Sequence, residues 1–300
     1  MTKFLSELIT DKTPILDLTK CNNVTSEEKY KVLDLECGFA EKYIRYIYYL
    51  DNIWYYFKGD INNGGYPFYI LDELMGSHLA KKCNLQAVSY QVAKVKSKLP
   101  CKNNEQYGIA SINFKKQEFA YTTFNKIANN EIFLNDIDKI KYLKNFCIDI
   151  ENEKIFQKHL FQLFALDIYM LQKDRCNLNL QFQKNKITNQ FDIAPLYDFS
   201  NCLPNIGMAG LDQLKNIIIN LNELTIRSLC REYPQFKEEL SFWLEQSMKD
   251  TWNEICEEYH FNQECSAYER IKDYYEIKDE SVKKNIKQII KDVQRTKSVV

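Results

Sequence analysis

Residues 173–200 read KDRCNLNLQFQKNKITNQFDIAPLYDFS, and the spacing of the polar residues in this stretch decides the fold. Asp174 is followed five residues later by Asn179, and Asp198 comes 19 residues after Asn179, next to Phe199. An Asp with an Asn five residues on is common by chance. It is much less common for that Asp to be followed directly by Arg, and for an Asp-Phe pair to come after two predicted strands further on. We therefore treat Asp174, Asn179 and Asp198 as one set.

The three side chains suit phosphoryl transfer. One carboxylate, Asp174, can orient a nucleophilic hydroxyl and accept its proton. An amide oxygen and a second carboxylate, from Asn179 and Asp198, can hold a magnesium ion, which bridges phosphates and offsets the charge on the transferring group. The alternative interpretation of the same residues is an asparagine-rich surface hairpin with solvated charges.

The elements predicted around this set place it between a helix and a hairpin. A broad apolar stripe predicts a buried helix before the polar loop. Apolar and β-branched residues after the loop predict two short strands around the turn Lys184-Asn185-Lys186. In chain order these elements are Lys154–Leu171, Leu178–Gln183 and Ile187–Ile193.

The first half of the chain predicts a sheet with one helix, because it is rich in aromatic and β-branched residues in short runs. Asp51-Asn52 is a turn pair between two such runs and indicates a β-hairpin. The predicted elements are the hairpin strands Tyr43–Leu50 and Ile53–Lys58, a helix from Pro67 to Lys82, and the strands Ala87–Val95 and Tyr107–Phe114.

The second half predicts mainly helices, among them Leu211–Leu221 and Lys237–His260. The basic stretch from Lys283 to Lys297 predicts a solvated terminal helix, and contact with a partner or a membrane surface is the alternative. Strands followed by helices predict an α+β architecture with two lobes, and the default ligand site is the cleft between them.

Two segments carry a resemblance to a known family. Asp174-Arg175-Cys176-x-x-Asn179 and Ala194-Pro195-Leu196-Tyr197-Asp198 resemble the catalytic and metal motifs of the HipA-like serine/threonine kinases, and of their CtkA-like branch in particular. The family motifs read Asp-Arg-His-x-x-Asn and Ala-Pro-Leu/Ile-Tyr-Asp. The specific matches cover residues 155–203, and the chain departs from the pattern at Cys176 and at Ser200, which stands where Asp-Phe-Gly has its glycine.

The resemblance implies a protein-kinase-like fold with a β-rich N-lobe, residues 1–110, and a mostly helical C-lobe, residues 111–300. The N-lobe would bind the phosphates of ATP, and the C-lobe would hold the catalytic loop and the metal site. Asp174 would face the acceptor hydroxyl, and Asn179 and Asp198 would hold Mg²⁺. The implied activity is a serine/threonine protein kinase, autophosphorylating on serine and acting on a protein substrate as a toxin or an effector.

A lysine and an acidic residue in the first half are candidate partners of this site. Lys58 ends the strand IWYYFK, where a kinase places its phosphate-binding lysine. Glu73, on the following predicted helix, is a candidate to pair with Lys58 and hold it in place. Asp72 is a rival for that role. The alternative is a solvent-facing lysine at a strand end and an exposed helix carboxylate.

Candidates for nucleotide contacts are sparser. Gly38, in the loop LECGFAEK before the hairpin, is the single glycine where a phosphate-cradling loop belongs, and a plain turn explains it equally well. The family layout places Ser111 and Asn113 where the lobes join, near an adenine edge. The chain has no G-x-x-x-x-G-K-[ST], which excludes a P-loop NTPase.

Alternative functions remain open at this point. A phosphoinositide-type lipid kinase also uses Asp-Arg-x-x-x-Asn followed by an Asp. A pseudokinase that binds a partner without transfer is favoured by Cys176 and by the poor glycine loop. Adenylyl transfer on the same fold is a further option.

Composition limits the class of protein. The formal net charge of -1 gives no direct nucleic-acid signal, and no window is apolar enough for a membrane span. The ten cysteines form no C-x-x-C pair, which argues against structural zinc and for free thiols in a reducing cytoplasm. We therefore assign the chain to the cytoplasm; translocation into a host cell by a dedicated secretion machine would leave no mark in the sequence.

Overall fold

A computed structural model describes residues 4–21, 45–59, 69–96, 105–128, 138, 141–143, 145, 153–172, 180–199 and 223–297. Five of its strands form one sheet in the order β1-β4-β5-β3-β2, in which β1 and β4 are parallel and the other pairs antiparallel. Their bounds are β1 Ile15–Asp17, β2 Arg45–Leu50, β3 Ile53–Gly59, β4 Tyr90–Lys96 and β5 Glu105–Ile112.

The predicted hairpin is confirmed. β2 and β3 pair in register from Leu50↔Ile53 to Arg45↔Lys58. Asp51 and Asn52 have φ values of 50° and 63°, and two consecutive left-handed residues are the signature of the type I′ turn that matches the twist of paired strands.

Strand β4 begins three residues later than predicted, at Tyr90 instead of Ala87. The residues before it pair elsewhere. Ala87 forms an isolated parallel bridge with Leu196, and the Val88 amide donates to the Leu196 carbonyl at 3.0 Å. The strand prediction is therefore right that the chain pairs from residue 87 onward. Residues 87–88, however, pair with Leu196, close to Asp198, and the sheet begins at Tyr90.

The helix that follows the hairpin, α2 Tyr69–Lys82, is buried against the inner face of this sheet. It was predicted from Pro67, and residues 67–68 lie outside the described part of the chain. Asn84 ends the helix with φ 61°, and the Leu85 amide bonds back to the Ala80 carbonyl at 2.9 Å. The outer face of the sheet carries a separate small core that includes Phe57, Ala93 and Ala110.

A second, three-stranded antiparallel sheet follows in the order β6-β7-β8. Its strands are β6 Phe119–Thr123, β7 Gln181–Asn185 and β8 Phe191–Ile193. The prediction of Leu178–Gln183 and Ile187–Ile193 around residues 184–186 had the hairpin right and its turn misplaced, since Asn185 still pairs with Phe119 and the turn comes after it. No strand was predicted over β6, whose sequence is FAYTT.

The remaining described helices are α1 Phe4–Leu8, α3 Phe124–Ile127, α4 Glu153–Met170, α5 Glu223–Glu232, α6 Pro234–Phe242, α7 Met248–Glu258 and α8 Ser266–Lys297. The single helix predicted over Lys237–His260 was wrong. The Ser247 side chain caps a new helix by accepting from the Asp250 amide at 3.0 Å, which breaks the run between α6 and α7. Residues 211–221 lie outside the described ranges.

The predicted terminal helix is present, but only one of its faces is solvated. Ile286, Ile289 and Val293 on α8 are buried in the main core, and Arg227 on α5 pairs with Asp292 at 2.7 Å. The apolar residues recur every three or four positions and face the other C-terminal helices, while the lysines between them cover the outer face.

The fold is therefore α+β, with a five-stranded sheet followed by a helical C-terminal part, as the order of predicted strands and helices indicates. Every helix in the described ranges is too short or too polar to cross a lipid bilayer.

Candidate active site

Lys58, near the end of β3, lies between two carboxylates from distant parts of the chain. Its Nζ donates to Glu73 Oε1 on α2 and to Asp198 Oδ1 at 2.8 Å. The lysine side chain is 14% exposed, so it reaches the site from a largely covered position. Since Lys58 pairs with Ile109 of β5, both side chains lie on the sheet face that packs against α2.

Glu73 is fully buried and held through both oxygens. Its Oε2 accepts from the Tyr90 hydroxyl at 2.7 Å and from the Phe199 amide at 3.0 Å. A buried carboxylate is costly unless each oxygen is hydrogen-bonded, and these donors meet that requirement. The rival Asp72 does not contact Lys58; its Oδ1 accepts from the Tyr275 hydroxyl on α8 at 3.2 Å instead.

Asp198 adopts a left-handed backbone with φ 62°, which is uncommon for a residue with a side chain. This conformation turns its carboxylate to Lys58 while the next amide, of Phe199, turns to Glu73. Its carbonyl accepts from the Gln172 side chain at 2.9 Å. Such strained positions cluster at functional sites, so the conformation itself marks Asp198 as a candidate.

The end of helix α4 positions Gln172. Leu171 has φ 58°, its amide bonds to the Ile168 carbonyl at 3.1 Å, and the Gln172 amide bonds to the Asp167 carbonyl at 2.8 Å. These two bonds form a Schellman ending, which is unusual with leucine in place of glycine. The helix end thus aims the Gln172 side chain at Asp198, a few residues before Asp174 and Asn179 in the sequence.

Gly76 of α2 lies directly against the Phe199 ring. A Cβ placed on Gly76 would sit 2.2 Å from Phe199 Cγ and 2.4 Å from Cδ1. No side chain fits in that gap, so the glycine allows Phe199, which is fully buried, to pack on the helix. This contact fixes the residue next to Asp198.

Ser111 and Asn113 of the predicted nucleotide-contact region differ in their surroundings. Ser111 pairs in register with Tyr56 and Tyr90, which puts it on the same sheet face as Lys58. Burial raises the pKa of the Tyr56 phenol well above its usual value, so this neighbour is neutral. The Asn113 side chain accepts from the Lys115 amide at 3.1 Å and closes a local turn.

The structure thus brings together Lys58, Glu73 and Asp198. Gly38, Asp174 and Asn179 lie outside the described residues, as does Cys176. Sequence reasoning missed three contributors to the site, Gly76, Tyr90 and Gln172. These residues act through long-range contacts that leave no local pattern, although a glycine inside a helical pattern is itself a sign of close packing.

The donor set suits a magnesium ion. Asp198 and Asn179 would supply carboxylate and amide oxygens, which are hard ligands of the kind that Mg²⁺ takes together with waters and phosphates. Among the described residues no group of three or more His, Cys, Asp or Glu side chains could form a metal site of its own.

The fold is protein-kinase-like, as comparisons with other proteins show. No protein-family profile matches the sequence, and a search of curated proteins returned no significant match. Solved structures do match. The proinflammatory kinase CtkA of Helicobacter pylori is similar over 95% of this chain and 98% of its own, with a TM-score of 0.52 and 16% identity.

HipA of Shewanella oneidensis MR-1, solved with HipB and its operator DNA as a toxin–antitoxin system, is also similar. The match covers 94% of this chain and 75% of that one, with a TM-score of 0.57 and 8% identity. At these identities the comparisons establish the fold, and the predicted resemblance to HipA-like and CtkA-like kinases is confirmed at that level.

Proposed function

We propose that the chain is an ATP- and Mg²⁺-dependent kinase that phosphorylates serine or threonine in proteins. The observation that carries the proposal is the placement of Lys58 between Glu73 and Asp198. Three residues from a strand, a helix and a distant loop converge in the arrangement that protein kinases use to orient the phosphates of ATP.

Lys58 would bind the phosphates. An ammonium group has three donors, and two of them go to Glu73 and Asp198 among the described residues. A third donor is left for a phosphate oxygen, and the buried Glu73 keeps the ammonium in place. Gly38, Ser111 and Asn113 would contribute further nucleotide contacts, on the family layout alone.

Asp198 and Asn179 would hold Mg²⁺, which supplies charge neutralisation between phosphate groups when bound. Gln172 and Phe199 fix the backbone on both sides of the Asp198 carboxylate. Asp174 would orient the acceptor hydroxyl and take its proton. In this division of labour residues 1–110 bind the ATP phosphates, and residues 111–300 carry the catalytic loop and the metal site.

The names of the structural neighbours suggest the wider role. CtkA is described as a proinflammatory kinase and HipA as part of a toxin–antitoxin system. By analogy, we propose that this chain acts as a toxin or effector on a protein substrate, in the cytoplasm or after translocation into a host cell, with autophosphorylation on serine.

The test is incubation of the purified protein with γ-labelled ATP and Mg²⁺, followed by intact mass. Three proteins are compared: the wild type, Asp174→Ala, and Asp11→Ala as a matched control that removes an exposed carboxylate. The proposal expects one or more phosphates on the wild type and on Asp11→Ala, and none on Asp174→Ala.

Other outcomes reassign the reaction. A mass gain of an adenylyl group would replace phosphoryl transfer by adenylyl transfer. Labelling of phosphoinositide vesicles without labelling of protein would identify a lipid kinase. Magnesium-dependent nucleotide binding with no transfer to the chain, to a generic protein or to lipid would identify a pseudokinase and reject the proposal.

A further inference from the structure

Helix α2 carries two buried carboxylates that contact different parts of the protein. Asp72 and Glu73 are consecutive, and both side chains are fully buried. Consecutive helical residues project about 100° apart, since an α-helix has 3.6 residues per turn. Glu73 therefore faces Lys58 and the site, while Asp72 faces the C-terminal helix α8.

The partner of Asp72 on α8 is a lysine that is itself fully buried. Lys278 Nζ lies 3.6 Å from Asp72 Oδ1, with both side chains 0% exposed. Among the described residues Nζ has no hydrogen-bond partner, and it lies over the rings of Tyr274 and Tyr275 at 5.6 and 5.9 Å. The same Tyr275 donates its hydroxyl to Asp72.

Separating a buried lysine from the carboxylate beside it is costly. A rotation of α2 that moved Glu73 away from Lys58 would also move Asp72 away from Lys278, and the ammonium would be left uncompensated in the core. The Asp72–Lys278 pair therefore opposes rotation of the helix about its own axis, even if the pair adds little to overall stability.

Other contacts hold α2 along its length. The Tyr259 hydroxyl at the end of α7 donates to the Tyr90 carbonyl at 2.7 Å, and the Tyr90 hydroxyl in turn donates to Glu73. Near the other end of α2, His78 Nε2 lies 2.9 Å from Glu258 Oε2. The C-terminal helices thus contact α2 at several points, and the Asp72–Lys278 pair is the contact at the residue next to Glu73.

We propose that Lys278 is a positioning residue for the active site, acting through Asp72 to set the rotation of α2 and so to hold Glu73 against Lys58. Its catalytic consequence rests on the proposed kinase function. The positional claim itself concerns only where Glu73 lies, so it can be tested without catalysis.

The Phe199 amide reports the position of Glu73, because it donates to Glu73 Oε2 at 3.0 Å. Hydrogen exchange resolved by NMR is compared at this amide and at Leu163 in the buried helix α4. For Lys278→Met we expect exchange at Phe199 to accelerate at least about tenfold more than at Leu163. Lys249→Met, which breaks a half-exposed pair with Glu276 on the same helix α8, is the matched control and should leave both amides unchanged.

The double variant Asp72→Asn with Lys278→Met separates positioning from plain stability, and it also serves if the single variant fails to fold. Removing both charges should return Leu163 exchange to near the wild-type rate, since a buried pair can be replaced at little cost. Hydrogen exchange at the Phe199 amide should remain fast, because the Asp72–Lys278 pair no longer sets the rotation of α2. If the exchange rates at Phe199 and at Leu163 both return to near their wild-type values, Lys278 is only a structural residue and the proposal is wrong.

A kinetic cycle tests the catalytic consequence. Lys278→Met is combined with Lys58→Ala, and kcat/KM for ATP is measured for each variant. If Lys278 acts through Glu73 and Lys58, the double variant loses no more than Lys58→Ala alone; losses that multiply would refute action through this pair. A wild type without transferase activity would reject the kinase function, and the exchange rates at Phe199 would still decide the role of Lys278.

Discussion

Gly76→Ala tests whether the packing of Phe199 on helix α2 controls the geometry of the site. The added Cβ would lie 2.2, 2.4 and 2.7 Å from Cγ, Cδ1 and Cδ2 of Phe199. Carbon atoms in contact are normally about 3.5–4.0 Å apart, so the ring must move by more than about 1 Å. Cγ lies next to the backbone of Phe199, and a rotation of the ring alone cannot move it away.

The effect on stability is the difference of two terms. Alanine in place of glycine inside a helix gains about 1 kcal/mol, whereas overpacking a core costs about 1–3 kcal/mol. We expect the free energy of unfolding to fall by about 0–2 kcal/mol, and the protein to remain folded. The effect on transfer should be larger, because a shift of about 1 Å at Phe199 moves the adjacent Asp198, and misplacements of that size cost about 100-fold in rate.

The assay pairs urea unfolding with the rate of γ-phosphate transfer, measured for Gly76→Ala, for Phe199→Ala and for the two combined. If the clash with the ring is the cause, Gly76→Ala should destabilise the wild type. It should stabilise the Phe199→Ala protein by about 1 kcal/mol, since only the helix-propensity term is left.

A Gly76→Ala protein that is more stable than the wild type and transfers phosphate at an unchanged rate would refute the reasoning. So would the same sign of the stability change in both backgrounds. Either result would mean that Phe199 does not rest on Gly76 and that the Asp198 geometry does not depend on this contact.

Three further predictions concern the charges of the site and the buried thiols. Lys58→Ala should lower kcat/KM for ATP at least about tenfold, because a phosphate contact is lost; wild-type kinetics would mean that the assignment of Lys58 is wrong. Asp198→Asn should abolish Mg²⁺-dependent transfer while circular dichroism and the melting temperature show an intact fold, and unchanged turnover would remove this residue from the metal site. Burial raises the pKa of Cys83 from 9.0 to about 12 and that of Cys230 from 9.0 to about 11, so folding favours the protonated thiols. Their contribution to stability should therefore be constant below about pH 9 and decrease as the pH rises toward about 11, which urea titrations at several pH values would measure; a flat profile would contradict the burial of these thiols.

Local patterns predicted the elements that depend on neighbours in sequence. The runs of aromatic and β-branched residues over 43–50 and 53–58 and the Asp-Asn turn predicted the hairpin, and they placed Lys58 at the end of its strand. The helix that carries Glu73 followed from its apolar spacing, and the expected Lys58–Glu73 contact is present. These features are encoded locally because backbone geometry fixes which side chains share a face.

Element ends and breaks were less predictable. The sequence from Lys237 to His260 is helical throughout by propensity, and the break before Ser247 depends on a side-chain cap that competes with a continuing helix. Strand β6 has no apolar alternation, and it exists because β7 offers it a pairing partner.

Short-range spacing in the sequence is enough to predict an α+β chain in which a strand carries Lys58, a helix carries Asp72 and Glu73, and an Asp-Phe pair follows a hairpin. Only the tertiary structure decided between Asp72 and Glu73. The two are chemically alike and adjacent on one helix, so no local pattern distinguishes them. The buried Lys278 on α8 pairs with the first, and Lys58 on the sheet takes the second, because packing on two sides sets the rotation of the helix between them.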